Sequence, residues 1–323
     1  MTAIIILNWN GYHDTIDCLE SLYRIKTDDF FVVVVDNGSI DNSVEEIMSW
    51  VNNNKISSYL VSENSVFPKG IKKKDFLLYK LKENYGFAKG NNKGVELALW
   101  MKPDCYLLLN NDTVVEIDFL NRLTQFVALN PQYKVLTPLI KYYAEPNIIW
   151  NCGGRLFAGF RKYYYANELV VNVKEKSHIN ISFVTGCALF FVPEILENDK
   201  VFVEKFFFGE EDFDFSLRMK KAKNKMACVV DSQIFHKVSS STIGFSRIGK
   251  VYIHYLNRFI NIRHHYGDLF FFVWSRFYCM YIFLLLLRNK YTLAESCRFL
   301  LRLRHEAIEF DEVDKSVFLK YCS

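Results

Sequence analysis

The sequence contains no C-x-x-C pair, no G-x-G-x-x-G and no G-x-x-x-x-G-K-[ST]. The first absence removes the usual spacing of zinc and dithiol redox motifs. The second removes the nicotinamide-dinucleotide fingerprint and the third the P-loop. No fixed-period repeat is present, which excludes a solenoid or propeller. The first apolar run, Ala3–Leu7, is far too short for a signal-peptide core. The 8 cysteines are scattered, the pattern of free thiols in a reducing compartment, so a cytoplasmic body is expected. A net charge of +4 argues little for nucleic acid, and no nucleic-acid-binding motif accompanies it.

What is present suits a globular chain with a sizeable core: 323 residues, 50% apolar and 24% charged. Phe and Tyr crowd the C-terminal third. From Arg247 to Arg304 bases outnumber acids and alternate with apolar runs, a membrane-surface composition. Leu269–Leu287 just reaches spanning length, but Arg276 near its middle would be costly inside a bilayer. The expectation is an interfacial or partly inserted helix. A helix that covers the preceding domain is the alternative.

The first half alternates strand and helix. Ala3–Leu7, Phe30–Val35, Phe76–Leu81 and Tyr106–Leu109 read as strands. Helical spacing follows the first at Asp14–Tyr23, the third at Lys89–Met101 and the fourth at Asp118–Leu129. Another helix follows the second strand, capped by Asp41 or Ser43. Asn52–Asp75 reads as a surface loop or insertion. The pattern implies a doubly wound α/β sheet, in which ligands bind beyond the carboxyl ends of the strands. Asp36, Asn84, Asn110 and Asp112 fall at or just after such ends. Beyond Asn130 the pattern is mixed, with strands at Ile181–Val184, Ala188–Val192 and Met226–Val230.

Several residues can carry chemistry. A carboxylate at Asp112 can hold magnesium or manganese, which take oxygen ligands and bridge to phosphates, or it can cap a turn. Asp36 can accept from a nucleotide base, or belong to an ordinary turn. Gly86, Gly90 and Gly94 recur every four residues across a loop-to-helix junction, where a glycine permits close ligand approach. Glu210, Glu211, Asp212 and Asp214 either stabilise a helix N-terminus or supply one general base with a raised pKa, Asp212 or Glu211. His236 follows a strand and is either structural or a ligand.

In order and spacing these pieces resemble the family-two inverting glycosyltransferases, especially rhamnosyltransferase-like bacterial members. The blocks are Leu7–Gly11, Val35–Ser39, Glu83–Asn91, Leu108–Thr113, Val184–Gly186, Phe207–Asp214 and His236, so the match runs from Ile4 to about Ser241. The resemblance implies a glycosyltransferase A fold, a Rossmann-like nucleotide-binding half fused to an acceptor half, over residues 1–245. A C-terminal helical, membrane-associated region would occupy 246–323. It implies a nucleoside-diphosphate sugar donor held by Asn8, Asp36, Asn84, Gly86, Lys89, Asn110, Asn111 and Gly186. It also implies a divalent metal, Mg or Mn, on Asp112 and His236, and catalysis by Asp212 with Glu211 beside it. Asn110 stands where the strict D-x-D motif has its first acid.

The implied reaction moves a hexose, with rhamnose a candidate, from a dTDP-, UDP- or GDP-sugar to a saccharide or lipid-linked saccharide, with inversion. The setting would be surface polysaccharide synthesis at the inner face of the cell membrane. A nucleotidyltransferase would want an N-terminal glycine-rich loop with a basic residue, which Asn8-Trp9-Asn10-Gly11 does not supply. A non-catalytic membrane-associated scaffold that keeps the fold is the other alternative.

Overall fold

The computed structural model describes residues 1–68, 70–238 and 246–322. The expected boundary between residues 245 and 246, and Ser241 at the end of the resemblance, touch residues outside this set.

Four near-continuous apolar runs form the centre of the sheet: β1 (Thr2–Asn8), β2 (Phe30–Asp36), β4 (Phe76–Lys80) and β5 (Cys105–Asn110), with β3 (Ser58–Ser62) at one edge. All five run parallel. Strands buried on both faces need no polar alternation, which is why β1 and β2 read so clearly. The expected loop at Asn52–Asp75 is corrected here. It contains β3, whose half-exposed, partly polar residues lack a strand signature because it is an edge strand. The connecting helices are α1 (Tyr12–Leu22), α2 (Ser43–Asn53), α3 (Phe87–Leu99) and α4 (Phe119–Leu129). Asn42, not Asp41 or Ser43, occupies the N-cap position of α2, without a side-chain capping bond, and Asp41 Oδ1 accepts the Ser43 N–H at 3.0 Å.

The second half extends the same sheet. β6 (Thr113–Val115) pairs with β13 (Lys225–His236), and β7 (Tyr133–Tyr142) with β8 (Ile149–Asn151). β9 (Gly154–Phe157) and β10 (Phe160–Tyr163) form a separate hairpin. β11 (His178–Ile181) and β12 (Ala188–Phe191) complete an 11-stranded sheet of order β11-β13-β7-β12-β5-β1-β2-β4-β3. The strand expected at Met226–Val230 continues to His236. Its polar interruption at Asp231–Gln233 is a register shift against β7, not an end. All eight cysteines are unpaired, six of them buried.

Helix α5 (Glu211–Lys221) carries the acidic motif. The C-terminal helices α6 (Arg247–Tyr266), α7 (Asp268–Arg288), α8 (Leu293–Glu309) and α9 (Lys315–Cys322) build a second core with Phe183, Phe206, Phe213 and Leu217. One face of α7, with Phe271, Trp274, Tyr278, Ile282 and Leu286, is buried at helical spacing. The opposite face leaves Leu269, Phe272, Phe277, Met280 and Leu284 exposed. The helix is long and apolar enough to cross a membrane by length and composition. Arg276 lies on its open side, stacked on Phe272.

Candidate active site

Parallel register brings the polar strand ends together. Asn8 pairs with Asp36, and Leu7 with Asn110. Asn8 and Asp36 are both fully buried. Asn8 Nδ2 donates to Asp36 Oδ1 at 3.0 Å, and the Ser39 N–H donates to Asp36 Oδ2 at 3.2 Å. Thr15 donates to Asn8 Oδ1 at 2.8 Å, so Asn8 ties β1, β2 and α1 into one support. Above this support lies a cleft of about 180 Å³ lined by Leu7, Trp9, Asn37, Asn84, Gly86, Phe87, Asn110, Asn111, Asp112, Phe207, Phe208 and Phe318.

The turn into α3 is shaped by amides. Asn84 Oδ1 accepts from Asn37 Nδ2 at 3.0 Å and from the Gly86 N–H at 2.8 Å. Gly86 has φ +85°, and a Cβ there would sit 2.2 Å from the Phe207 carbonyl oxygen. Only glycine fits both constraints. The Phe87 N–H then donates to that same carbonyl at 3.0 Å. The other two glycines of the four-residue series serve packing instead. A Cβ at Gly90 would meet Leu7, and one at Gly94 would meet Ile5 and Val35, so the spacing is the face of α3 that lies on the sheet.

Asp112 and His236 meet across the β6–β13 pairing. His236 Nε2 is 3.1 Å from Asp112 Oδ1, both residues are buried, and the Lys237 N–H holds the Asp112 carbonyl. His236 Nδ1 is buried without a hydrogen-bond partner, and the Trp150 ring packs 4.3 Å away. A carboxylate facing the Nε2 of an imidazole fits a divalent ion that takes only one or two protein ligands and fills its sphere with phosphate and water oxygens. No group of three or more His, Cys, Asp or Glu ligands occurs among the described residues.

The four acids of the α5 motif divide by partner. Glu210 has φ +70° and is buried against Arg258, His254 at 3.1 Å and Arg161 at 3.7 Å. Burial alone would raise its pKa, but its basic partners, Arg258 foremost, hold it at about 2. Asp214 is buried with His265, Lys205 and Arg218, which outweigh burial and lower its pKa. Glu211 has no such cation. Its Oε2 has no partner, and burial, followed by the neighbouring Asp212 charge, pushes its pKa up to about 8. Asp212 stays a fifth exposed, with Arg161 at 3.8 Å. Burial raises its pKa, Arg161 opposes this, and the net direction is upward. A partly exposed carboxylate with a raised pKa can accept a proton more readily than an ordinary one.

The structure therefore brings Asn84, Gly86, Asn110, Asn111 and Asp112 into one cleft, with Asn8 and Asp36 as its buried support. Phe207 and Phe208 in the cleft wall run directly into Gly209 and the acidic motif. Gly186 links the two: a Cβ on it would lie 3.2 Å from the Phe87 ring and 4.0 Å from the Asp212 Cβ. Lys89 is not in the cleft. It lies over the Tyr85 ring at 4.5 Å and lines a separate depression with Lys93, Lys200 and Glu204.

Sequence reasoning missed Asn37, Arg161, Arg258 and Phe318. Only Asn37 had a local signal, as the residue after Asp36 at a strand end. Phe318 reaches the cleft because Val313 bonds to the strand-like Lys205–Phe207 segment at 2.8 Å on each side and Lys315 pairs with Glu83 at 2.7 Å.

The family model described as Glycosyl transferase family 2 matches residues 3–192, which reach from β1 through β12. The chain belongs to glycosyl transferase family 2. No curated protein matches it. Among solved structures it is similar to the mannosyltransferase PcManGT from Pyrobaculum calidifontis in complex with GDP-Man and Mn2+. That likeness has a TM-score of 0.53 at 14% identity and covers 82% of this chain and 62% of that one. It is also similar to S. aureus TarS 1-349 in complex with UDP-GlcNAc, with a TM-score of 0.53 at 15% identity, covering 83% of this chain and 68% of that one. The chain spans only 40% of the longer S. aureus TarS. At such identities the likeness shows the fold, and this family 2 chain has the glycosyltransferase A architecture.

Proposed function

We propose that this family 2 chain transfers a hexose from a dTDP-, UDP- or GDP-linked donor to a hydroxyl of a saccharide or lipid-linked saccharide, with inversion. Rhamnose is the sugar suggested by the resemblance of the motif blocks. The observation that carries the reading is the pairing of Asp112 with His236 at the rim of a cleft whose other wall leads to Asp212. The two similar structures, one with GDP-Man and Mn2+ and one with UDP-GlcNAc, lend support to a nucleotide-sugar donor and a divalent ion. The proposed catalytic domain is 1–245, and the proposed membrane-associated helical region is 246–323.

Asn84, Gly86, Asn110 and Asn111 would hold the donor, with Asn8 and Asp36 beneath them. Gly186 would keep the path to the base narrow, and Lys89 would act only from outside the cleft. Asp112 and His236 would hold Mg or Mn, which as a Lewis acid would stabilise the departing diphosphate. Asp212 takes the proton from the acceptor hydroxyl. That oxygen bonds to the anomeric carbon as the bond to the diphosphate breaks. Glu211, protonated at neutral pH, keeps a second negative charge away from Asp212. The exposed apolar face of α7, with its cations, would lie on the inner face of the cell membrane, where surface polysaccharides are assembled.

The stereochemistry tests this mechanism. NMR of the first-formed product should show an anomer inverted relative to the donor. A retained anomer would sink the single displacement.

A further inference from the structure

The hairpin β9–β10 stands apart from the main sheet, yet it carries a charge into the acidic motif. Arg161 Nη2 lies 3.7 Å from Glu210 Oε1 and Nη1 lies 3.8 Å from Asp212 Oδ1, with the side chain 15% exposed. Both distances exceed hydrogen-bond range, and among the described residues the guanidinium makes no side-chain hydrogen bond. It therefore acts on the two carboxylates by charge rather than as a bidentate fork. The Phe183 ring at 4.7 Å and the Tyr163 ring at 5.0 Å flank it.

The hairpin is pinned on both strands. On β9, Leu156 is buried, its N–H donates to Ser182 Oγ at 2.8 Å and its carbonyl accepts from Lys220 of α5 at 2.9 Å. Leu156 is the register partner of Arg161. At the turn, Gly159 has φ +78°, and a Cβ there would sit 2.7 Å from Ile262 and 2.8 Å from Trp274. On β10, Phe160 packs on Tyr278 of α7 at 5.5 Å. Arg161 thus reaches the motif from an anchored backbone.

A charge count around Asp212 singles out Arg161. Its own segment supplies Glu210 and Glu211, β10 supplies Arg161 and Tyr163, α6 supplies Arg258 and His254, and the Gly186 backbone bonds to its carboxylate. Glu211, with its pKa pushed up to about 8, is protonated at neutral pH. Burial keeps Tyr163 and His254 neutral, raising the pKa of the first and lowering that of the second. Arg258 is committed to Glu210, with Nη2 at 2.8 Å from Oε1 and Nε on Oε2. That pair cancels one negative charge, so among the described residues Arg161 is the cation left to offset Asp212.

We propose that Arg161 is a positioning residue that acts through the base: from the anchored hairpin it sets the ionisation of Asp212 and, with it, the acid edge of turnover. The proposal rests on the glycosyltransferase reading, in which Asp212 takes the acceptor proton. The test is an NMR titration of the full chain with isotope-labelled aspartate carboxyls, the Asp212 signal being the one absent from Asp212→Asn. Its midpoint should rise by about one pH unit or more in Arg161→Gln and in Arg161→Met, which keeps an apolar stem between the two rings. Arg161→Lys, which keeps the charge, should restore most of the parent midpoint. Lys162→Gln, which removes an exposed charge from the same strand, should leave it unchanged.

A midpoint unmoved in both uncharged variants, or moved as far by Lys162→Gln, overturns the assignment to Arg161. A rise that lysine does not reverse overturns the action by charge. Nucleoside diphosphate release from dTDP-, UDP- and GDP-sugars, followed against pH, is read separately. Its acid limb should move up in step with the Asp212 midpoint. An acid limb that stays in place while the midpoint shifts would fail Asp212 as the base, and with it the proposed mechanism, while leaving the coupling of Arg161 to Asp212 intact.

Discussion

Arg258→Ala should unfasten the loop that carries the acidic motif. Glu210 sits in a left-handed backbone conformation, buried, with its carboxylate on the Arg258 guanidinium. His254 is held neutral because burial lowers its pKa, so at neutral pH Arg161, at 3.7 Å, is the remaining full positive charge. Removing one partner of a buried pair costs about 3–5 kcal/mol. Arg161 offers partial compensation, so the low end, about 3 kcal/mol, is expected. The net drop of the Glu210 pKa from 4.5 to about 2, shared among Arg258, His254 and Arg161, is of the same order, about 3 kcal/mol. The sign follows from a depressed carboxylate. Its stabilisation is present above 4.5 and is lost as the pH falls toward 2.

Urea titrations of the parent and Arg258→Ala, followed by far-ultraviolet circular dichroism, read both effects. The gap should be about 3 kcal/mol at pH 7 and should shrink by about 2 kcal/mol at pH 3. A gap below about 1 kcal/mol at pH 7, or one that stays constant down to pH 3, would refute the clamp.

Two further substitutions separate the neighbouring acids. Asp212→Asn should lower turnover by a factor of about 10² or more with donor affinity little changed, measured by steady-state kinetics and calorimetry. Near-normal turnover would mean that another group is the base. Glu211→Gln mimics the protonated carboxyl. Because the Glu211 pKa is raised from 4.5 to about 8, the parent is fully stabilised below 4.5 and loses stability as the pH rises toward 8. The Gln variant should match the parent at pH 4 and exceed it by about 3 kcal/mol at pH 7 to 8 in urea titrations. A pH-independent difference would contradict a buried, protonated Glu211.

Much of the first half of the chain was legible in the sequence because its strands are buried on both faces and end on polar residues. Ile4–Leu7 and Phe30–Val35 have no polar alternation, so their ends at Asn8 and Asp36 stand out. The edge strand Ser58–Ser62 was hidden, since an edge strand needs neither an apolar run nor a buried face. The strand through Asp231–Gln233 was cut short because a bulge resembles a terminus. The acidic motif was visible as a cluster, but its division of labour was not. Glu210 is set apart by Arg258 from α6, and Asp214 by His265 from α6, Lys205 from the segment before α5 and Arg218 one turn along α5, while Arg161 from the hairpin reaches both Glu210 and Asp212. The same holds for Phe318, which enters the cleft from the last helix through tertiary pairing alone.

The most direct measurement is nucleoside diphosphate release from a panel of dTDP-, UDP- and GDP-sugars, with manganese, with magnesium and with a chelator. Release from one donor that requires the metal and disappears in Asp112→Ala is the expected result. Release that persists with the chelator or in Asp112→Ala would contradict the assignment of Asp112 and His236 to the metal and diphosphate.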